Sequence, residues 1–171
     1  MSRKLEHVVL LDDAGNRNGV ADKETVHTTD TPLHWAFSCH VFNHAREILV
    51  TRRALTKRTW PGVWTGSFCG HPTPDESGPT AVARRARYEL GIGLHALTLI
   101  DPDFRYRAVD ASGLVENEVC PVYTATTSDH VVPRPDEVCQ FKWVNLVDLR
   151  IAVDAAPWAF SPWLTLQIRL L

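Results

Sequence analysis

The stretch GHPTPDESGPTAVARRARYELGI, residues 70–92, decides how this chain folds. Pro79 suits the first position of a helix, where its missing N–H is no loss, and Gly91 suits the position just past the end. Between them Val82, Ala86 and Leu90 recur every fourth residue and give the segment one apolar stripe. The spacing predicts a helix from about Pro79 to Leu90, with Arg85 and Glu89 one turn apart on its flank. Just upstream, Thr65–His71 is expected to be extended, so that a strand feeds a polar loop and then the helix.

Outward from this unit, Glu6–Leu11 reads as a short strand ended by the turn signal Asp13-Ala14-Gly15-Asn16. Lys23–Pro32 is polar, and Pro32 argues against a continuous helix through His34. Trp35–Phe42 and Ile48–Thr51 flank Asn43-His44 as a hairpin, and Ala54–Trp64 is a basic loop edged by aromatic residues. Two long strands, Phe104–Val109 and Leu114–Thr124, are joined by the turn Asp110-Ala111-Ser112-Gly113, and Val138–Val144 is a further strand. Ala152–Leu171 is expected to close the fold with helical segments interrupted by Pro157 and Pro162. Strands mixed with few helices, no internal repeat and no linker predict one α+β domain over residues 1–171, a mixed β-sheet sandwich flanked by helices.

With 171 residues, 44% hydrophobic and 22% charged, the chain has the composition of a globular domain large enough to bury a core. A formal net charge of -2 argues against a dedicated nucleic-acid binder. The four cysteines (Cys39, Cys69, Cys120, Cys139) are scattered without a C-x-x-C pair, which suggests free thiols in a reducing compartment. Val8–Leu11 is too short for a secretory h-region and no stretch is long enough to cross a bilayer, so a cytoplasmic protein without membrane partners is expected.

Two trios carry the chemistry. In Cys69-Gly70-His71 and in Glu116-Asn117-Glu118, competent side chains stand at i and i+2, and an extended chain turns both to one face. Two like charges at that spacing repel unless a cation lies between them. His27 and His34 carry no metal signature by their own spacing. Added to His71, Glu116 and Glu118 they complete three nitrogen and two carboxylate donors, a set that suits Mn²⁺ or Mg²⁺ better than a closed structural Zn²⁺ site. Free cysteine is commonly a small buried apolar residue, but Cys69 lies beside this set. Arg52, Arg53, Lys57 and Arg58, with Arg84, Arg85 and Arg87 on the helix, concentrate positive charge in a slightly acidic chain, which implies a phosphate or diphosphate ligand. The bland alternatives are a solvated basic face and a plain Arg85–Glu89 surface pair of roughly 0.2–0.5 kcal/mol. Trp60, Trp64, Trp158 and Trp163 are expected in the core, where an aromatic wall also stabilises a carbocation.

These residues resemble those of type I isopentenyl-diphosphate isomerases, a family of the Nudix superfamily. The resemblance spans nearly the whole chain and rests on LVTRRALTKRTWPGVWTGSFCGHP (Leu49–Pro72), RRARYELG (Arg84–Gly91), DPDFRYRA (Asp101–Ala108), GLVENEVCPV (Gly113–Val122) and PWAFSPW (Pro157–Trp163). The Nudix pattern G-x5-E-x7-R-E-U-x-E-E-x-G-U lies on Gly70, Glu76, Arg84, Glu89, Gly91 and Ile92, with Arg85 and Tyr88 in place of two glutamates. Hydrolases of the superfamily use those glutamates to collect Mg²⁺ and activate water. Their replacement implies a site that holds a diphosphate without cutting it.

The resemblance implies a Mn²⁺ or Mg²⁺ site of His27, His34, His71, Glu116 and Glu118, and Glu89 as ligand of a second Mg²⁺ arriving with the substrate diphosphate. It implies Lys23, Arg53, Lys57 and Arg85 as diphosphate ligands, Cys69 and Glu118 as the acid–base pair, Tyr106 as support for Glu118, and Trp163 as the wall over the reacting carbons. Glu118 is expected to give the proton and Cys69 to take one. A small-molecule diphosphate is the expected partner, the assembly a monomer or weak homodimer, and a long C-terminal helix is expected to be absent or shortened. Two other readings stay open: a Nudix hydrolase of a nucleoside diphosphate derivative, and a non-catalytic module with structural zinc and an RNA-binding basic loop.

Overall fold

Residues 6–171 are described by the computed structural model, and they form twelve strands and three α-helices. In chain order these are β1 (His7–Leu11), β2 (Arg17–Asp22), β3 (His34–Trp35), β4 (Phe37–Phe42), β5 (Ile48–Arg53), β6 (Trp64–Thr65), β7 (Phe68–Gly70), α1 (Gly78–Leu90), β8 (His95–Asp101), β9 (Arg105–Val109), β10 (Val115–Val119), β11 (Val122–Thr126), β12 (Val138–Val144), α2 (Leu146–Ala155) and α3 (Pro162–Gln167). One sheet has the order β2-β1-β3-β10-β9; the other runs β12-β5-β4-β11-β8, with β6 on β5 and β7 on β4. Both sheets mix parallel and antiparallel pairs, because β3–β10 and β4–β11 are parallel. The α+β sandwich expected from the sequence is the architecture found. No helix among the described residues is long and apolar enough to cross a membrane.

The helix of the opening stretch forms as its caps dictate. Ser77 Oγ accepts from the Thr80 N–H at 3.3 Å, and Gly91 ends the helix in the left-handed region at φ 69°. Val82, Ala86 and Leu90 are fully buried against the larger sheet with Phe37, Val41, Leu49 and Phe68. Alternation along β5 splits its residues between two cores: Leu49 faces α1, whereas Ile48 and Val50 face Leu149, Val153, Leu164 and Ile168 of the C-terminal helices. The larger sheet thus has helices on both faces.

Several expected elements differ. The single strand Leu114–Thr124 is two, β10 and β11, broken at Cys120-Pro121 where the chain passes from one sheet to the other. Trp35–Phe42 breaks likewise at Ala36, and these parallel crossovers run side by side. The hairpin at Asn43-His44 pairs only at Phe42–Ile48; beyond that β4 pairs with β7 and β5 with β6. β2 and β8 were not expected, being edge strands with largely exposed faces and no apolar alternation. The C-terminal helical region starts at Leu146 rather than Ala152, capped by Asn145, whose Oδ1 accepts from the Val147 N–H at 2.8 Å. Trp158, expected in the core, is 83% exposed.

Candidate active site and metal cluster

The crossover of β3 and β10 puts Glu118 in register with His34 on one side and Tyr106 of β9 on the other. Cross-strand neighbours share a face of the sheet, so all three side chains meet. Tyr106 Oη donates to Glu118 Oε2 at 2.8 Å, while Glu118 Oε1 lies 3.1 Å from His71 Nε2 and 3.5 Å from His34 Nε2. Ligand atoms of His27, His34, His71 and Glu118 all lie within 4.8 Å of one another. Glu116 sits opposite Ala108 and presents Oε2 2.9 Å from His27 Nε2, and its Oε1 accepts from Thr59 Oγ1 at 2.7 Å.

These residues fit a divalent cation. His34 Nδ1 lies 2.9 Å from the Pro32 carbonyl, which can only accept; Nδ1 therefore carries a proton, and Nε2 is the atom turned into the cluster. Among the described residues, His27 Nε2, His34 Nε2 and Glu116 Oε2 are buried without a well-aligned hydrogen bond, although His27 Nε2 and Glu116 Oε2 lie 2.9 Å apart, a costly arrangement unless a further group satisfies them. Burial pushes Glu118 up, but the imidazoles of His34 and His71 outweigh it and hold the carboxyl well below the usual range. Burial pushes His71 down to about 3, keeping it neutral as a metal ligand must be.

The other residues collect around one cavity of about 600 Å³. Of the thirteen site residues the sequence singles out, all but His34 line it; His34 is fully buried behind. Cys69 enters from β7, in register with Ser38 of β4. Burial pushes its thiol up to about 12, against the opposing effects of Ser38 and Arg53, so the resting sulfur carries a proton. Gly70 has no room for a side chain: a Cβ would come within 2.9 Å of Arg85 Cγ and of the Phe37 ring. Its absence lets β7 lie directly on α1. Glu76 and Arg84 lock the intervening loop by a two-pronged pair at 2.8 Å, with Arg84 Nη2 also donating to the His71 carbonyl at 3.1 Å.

Aromatic residues form the wall next to the thiol. The Trp163 ring centroid lies 5.7 Å from that of Tyr106 and 5.4 Å from that of Trp60, and the Arg53 guanidinium sits 5.3 Å from it. Trp60 has φ 43°, in the left-handed region, at a cost of about 1–2 kcal/mol. Arg53 holds it there by donating to the carbonyls of Thr59 at 2.8 Å and Trp60 at 3.1 Å.

At the far end of the cavity the cations are already paired. Arg85 is buried between Glu89, with Nε to Oε1 at 2.9 Å, and Glu137 at 3.3 Å. The i,i+4 pair that the helical spacing suggests forms, but it is buried rather than solvated. Lys57 bonds Glu137, and Lys23 bonds Glu6 at 2.5 Å. Burial lowers Lys23, and the neighbouring Arg85 lowers it further. Sequence reading missed Glu137 and Glu6, because nothing in their local pattern tells of the distant lysines they meet.

Residues 32–164 match the NUDIX domain family. The isopentenyl-diphosphate Delta-isomerase of Clavibacter michiganensis subsp. michiganensis is 60% identical over 171 residues, covering all of this chain and 88% of that protein. That of Agromyces mediolanus is 61% identical over 166 residues, 97% of this chain and 81% of its own length. A crystal structure from Deinococcus radiodurans superposes with a TM-score of 0.74 over 96% of this chain and 98% of that one, at 19% identity, a likeness of fold alone. The chain belongs to the NUDIX domain family and, within it, to the isopentenyl-diphosphate Delta-isomerases.

Proposed function

We propose that this chain, as one Nudix-fold domain, interconverts isopentenyl diphosphate and dimethylallyl diphosphate by adding one proton and removing another. The observation that carries this reading is that Cys69 and Glu118 line the same cavity as Lys23, Arg53, Lys57 and Arg85. Protonation of an unactivated alkene makes a tertiary carbocation, so the site must supply a proton, exclude water and stabilise positive charge. The Trp163 ring supplies the last, on the order of 2 kcal/mol where desolvated.

The anionic tail is the handle. Entering diphosphate takes over cations now paired with Glu6, Glu89 and Glu137, and this binding energy positions an otherwise featureless hydrocarbon. The acid–base pair moves protons without net change: one group gives a proton to the terminal carbon, the other takes one from the carbon nearer the diphosphate. The resting proton sits on Cys69. A turnover begun from Glu118, the direction expected from the sequence, needs that carboxyl protonated first; burial pushes the Tyr106 phenol well above its usual range, so at 2.8 Å it orients Oε2 by a hydrogen bond and keeps its own proton.

His27, His34, His71, Glu116 and Glu118 would hold Mn²⁺ or Mg²⁺, and Glu89 would hold Mg²⁺ accompanying the diphosphate. When bound, the first cation offsets the repulsion of two glutamates confined to one small space. The four free cysteines agree with a reducing cytoplasm. Incubating the purified protein with isopentenyl diphosphate and Mg²⁺ tests the reading. Dimethylallyl product carrying solvent deuterium is expected; released phosphate, or no product, refutes it.

A further inference from the structure

A buried chain of polar side chains leads from the C-terminal helix to the sulfur of Cys69. Gln167, the last residue of α3 and fully buried, donates from Nε2 to Ser38 Oγ at 3.0 Å. Ser38 Oγ lies 3.6 Å from Cys69 Sγ and 3.3 Å from Cys120 Sγ. At its other end Gln167 Oε1 accepts from His40 Nε2 at 3.0 Å. The amide oxygen has no proton to give, so the proton of His40 is on Nε2 and Nδ1 is bare; Nδ1 is the nitrogen left without a partner among the described residues. The ring rests on Gly66, where a Cβ would come within 2.7 Å of His40 Cε1. The ring is seated by Gly66 and the amide by the ring, and the amide N–H occupies one lone pair of the Ser38 oxygen, which leaves the hydroxyl to the sulfurs of Cys69 and Cys120.

Polar groups buried at 0–1% exposure are expensive to desolvate. A core threonine or valine would pack there at lower cost if shape alone mattered. The chain ends where orientation matters. A thiol is free to rotate about its Cα–Cβ and Cβ–Sγ bonds, and proton transfer with a carbon requires it to point at that carbon within a narrow cone.

We propose that Ser38 and Gln167 are positioning residues for the Cys69 thiol: the amide of Gln167 fixes the Ser38 hydroxyl, and that hydroxyl fixes where the sulfur points in the cavity. The proposal rests on Cys69 acting in proton transfer, as read above. Because Gln167 reaches the sulfur only through Ser38, the two residues act as one device. Either loss disables it, and losing both is no worse than losing Ser38.

Steady-state kinetics on the metal-loaded full chain test this with Ser38→Ala, Gln167→Met, the double variant and Cys69→Ala. Ser38→Ala is expected to lower kcat roughly tenfold to hundredfold, the scale of a misplaced reacting group, with KM for isopentenyl diphosphate within about twofold. Gln167→Met lowers kcat in the same direction, and adding it to Ser38→Ala lowers it no further. The S–H stretching band that vanishes in Cys69→Ala shifts in both single variants. An unchanged kcat and band in Ser38→Ala, or multiplicative losses in the double variant, overturns the proposal. Should Ser38→Ala not fold, Gln167→Met reads the same kcat and band, and its silence in both is equally fatal. An active Cys69→Ala variant instead refutes the role of the thiol itself, a result distinct from an inactive Cys69→Ala beside a fully active Ser38→Ala.

Discussion

Glu118 stands between His34 and Tyr106 in one three-strand ladder, and its two oxygens have different neighbours. Oε1 faces the imidazoles of His34 and His71, whereas Oε2 accepts the Tyr106 hydroxyl. One carboxylate therefore belongs to both the candidate metal cluster and the proposed proton-transfer wall. The parallel crossovers make this possible, because they bring β3 and β10 side by side at the seam between the two sheets.

The division can be taken apart by substitution. Tyr106→Phe removes only the bond to Oε2, a charge-assisted hydrogen bond of about 1.5–3 kcal/mol. Turnover is expected to fall roughly 10- to 100-fold with the bound metal retained. Glu118→Gln is expected to lose both. Metal analysis of the two purified variants beside their kcat values checks this; a Tyr106→Phe protein lacking metal would mean that the two oxygens do not act separately.

Removing the metal is expected to destabilise the fold as well as stop turnover. The donors of His27, His34 and Glu116 are left buried and unsatisfied without it. A ligand present at a hundred times its Kd stabilises by about 2.7 kcal/mol, so a chelator should lower the unfolding temperature by several degrees. Titrating Mn²⁺ or Mg²⁺ back should restore it. Thermal unfolding followed by circular dichroism, with and without chelator, reads the difference.

Arg85→Ala separates a buried clamp from a surface pair. A solvated i,i+4 pair contributes roughly 0.2–0.5 kcal/mol. Arg85 is 3% exposed and lies between Glu89 and Glu137, so its removal strands the Glu89 carboxylate in the cavity wall and leaves Glu137 with Lys57 alone. The expected loss is about 3–5 kcal/mol by urea denaturation, together with a KM raised more than kcat is lowered. A loss under about 1 kcal/mol would return Arg85 to the surface class.

What the sequence disclosed, it disclosed through local signals. The caps and apolar stripe of α1 are written within the residues they govern, and an extended backbone is enough to turn the two outer side chains of each i, i+2 trio to one face; the meeting of the two trios is set by strand pairing. What it hid is non-local. Cys120-Pro121 breaks a run that alternates smoothly on both sides, because the break depends on which sheet each half joins. Edge strands β2 and β8 bury too little to leave a period-two pattern. Glu137 meets Lys57 across 80 positions and Gln167 meets Ser38 across 129, and no spacing rule reaches that far. Trp158 was misplaced for the opposite reason: its type predicts burial, but it sits in the exposed 3₁₀ turn Pro157–Ala159 between α2 and α3.

His40 gives the fold a pH dependence with a definite sign. Burial pushes its imidazole down from 6.5 to about 4, and the bond to Gln167 only partly opposes this. As pH falls below about 6.5 the unfolded chain takes up a proton on His40, while the folded chain does not until about 4. Between those values the unfolded state binds more protons, so stability falls as pH falls, and below the folded value the loss is complete. At 1.36 kcal/mol per pH unit the loss from this residue is about 3 kcal/mol. His40→Gln keeps a donor for Gln167 but cannot titrate. Urea denaturation of both proteins at pH 7 and pH 4.5 is expected to show the variant losing less stability, by about 2–3 kcal/mol. Parallel losses in the two proteins would mean that His40 is protonated in the fold, and that the bare Nδ1 beside Gly66 is not bare.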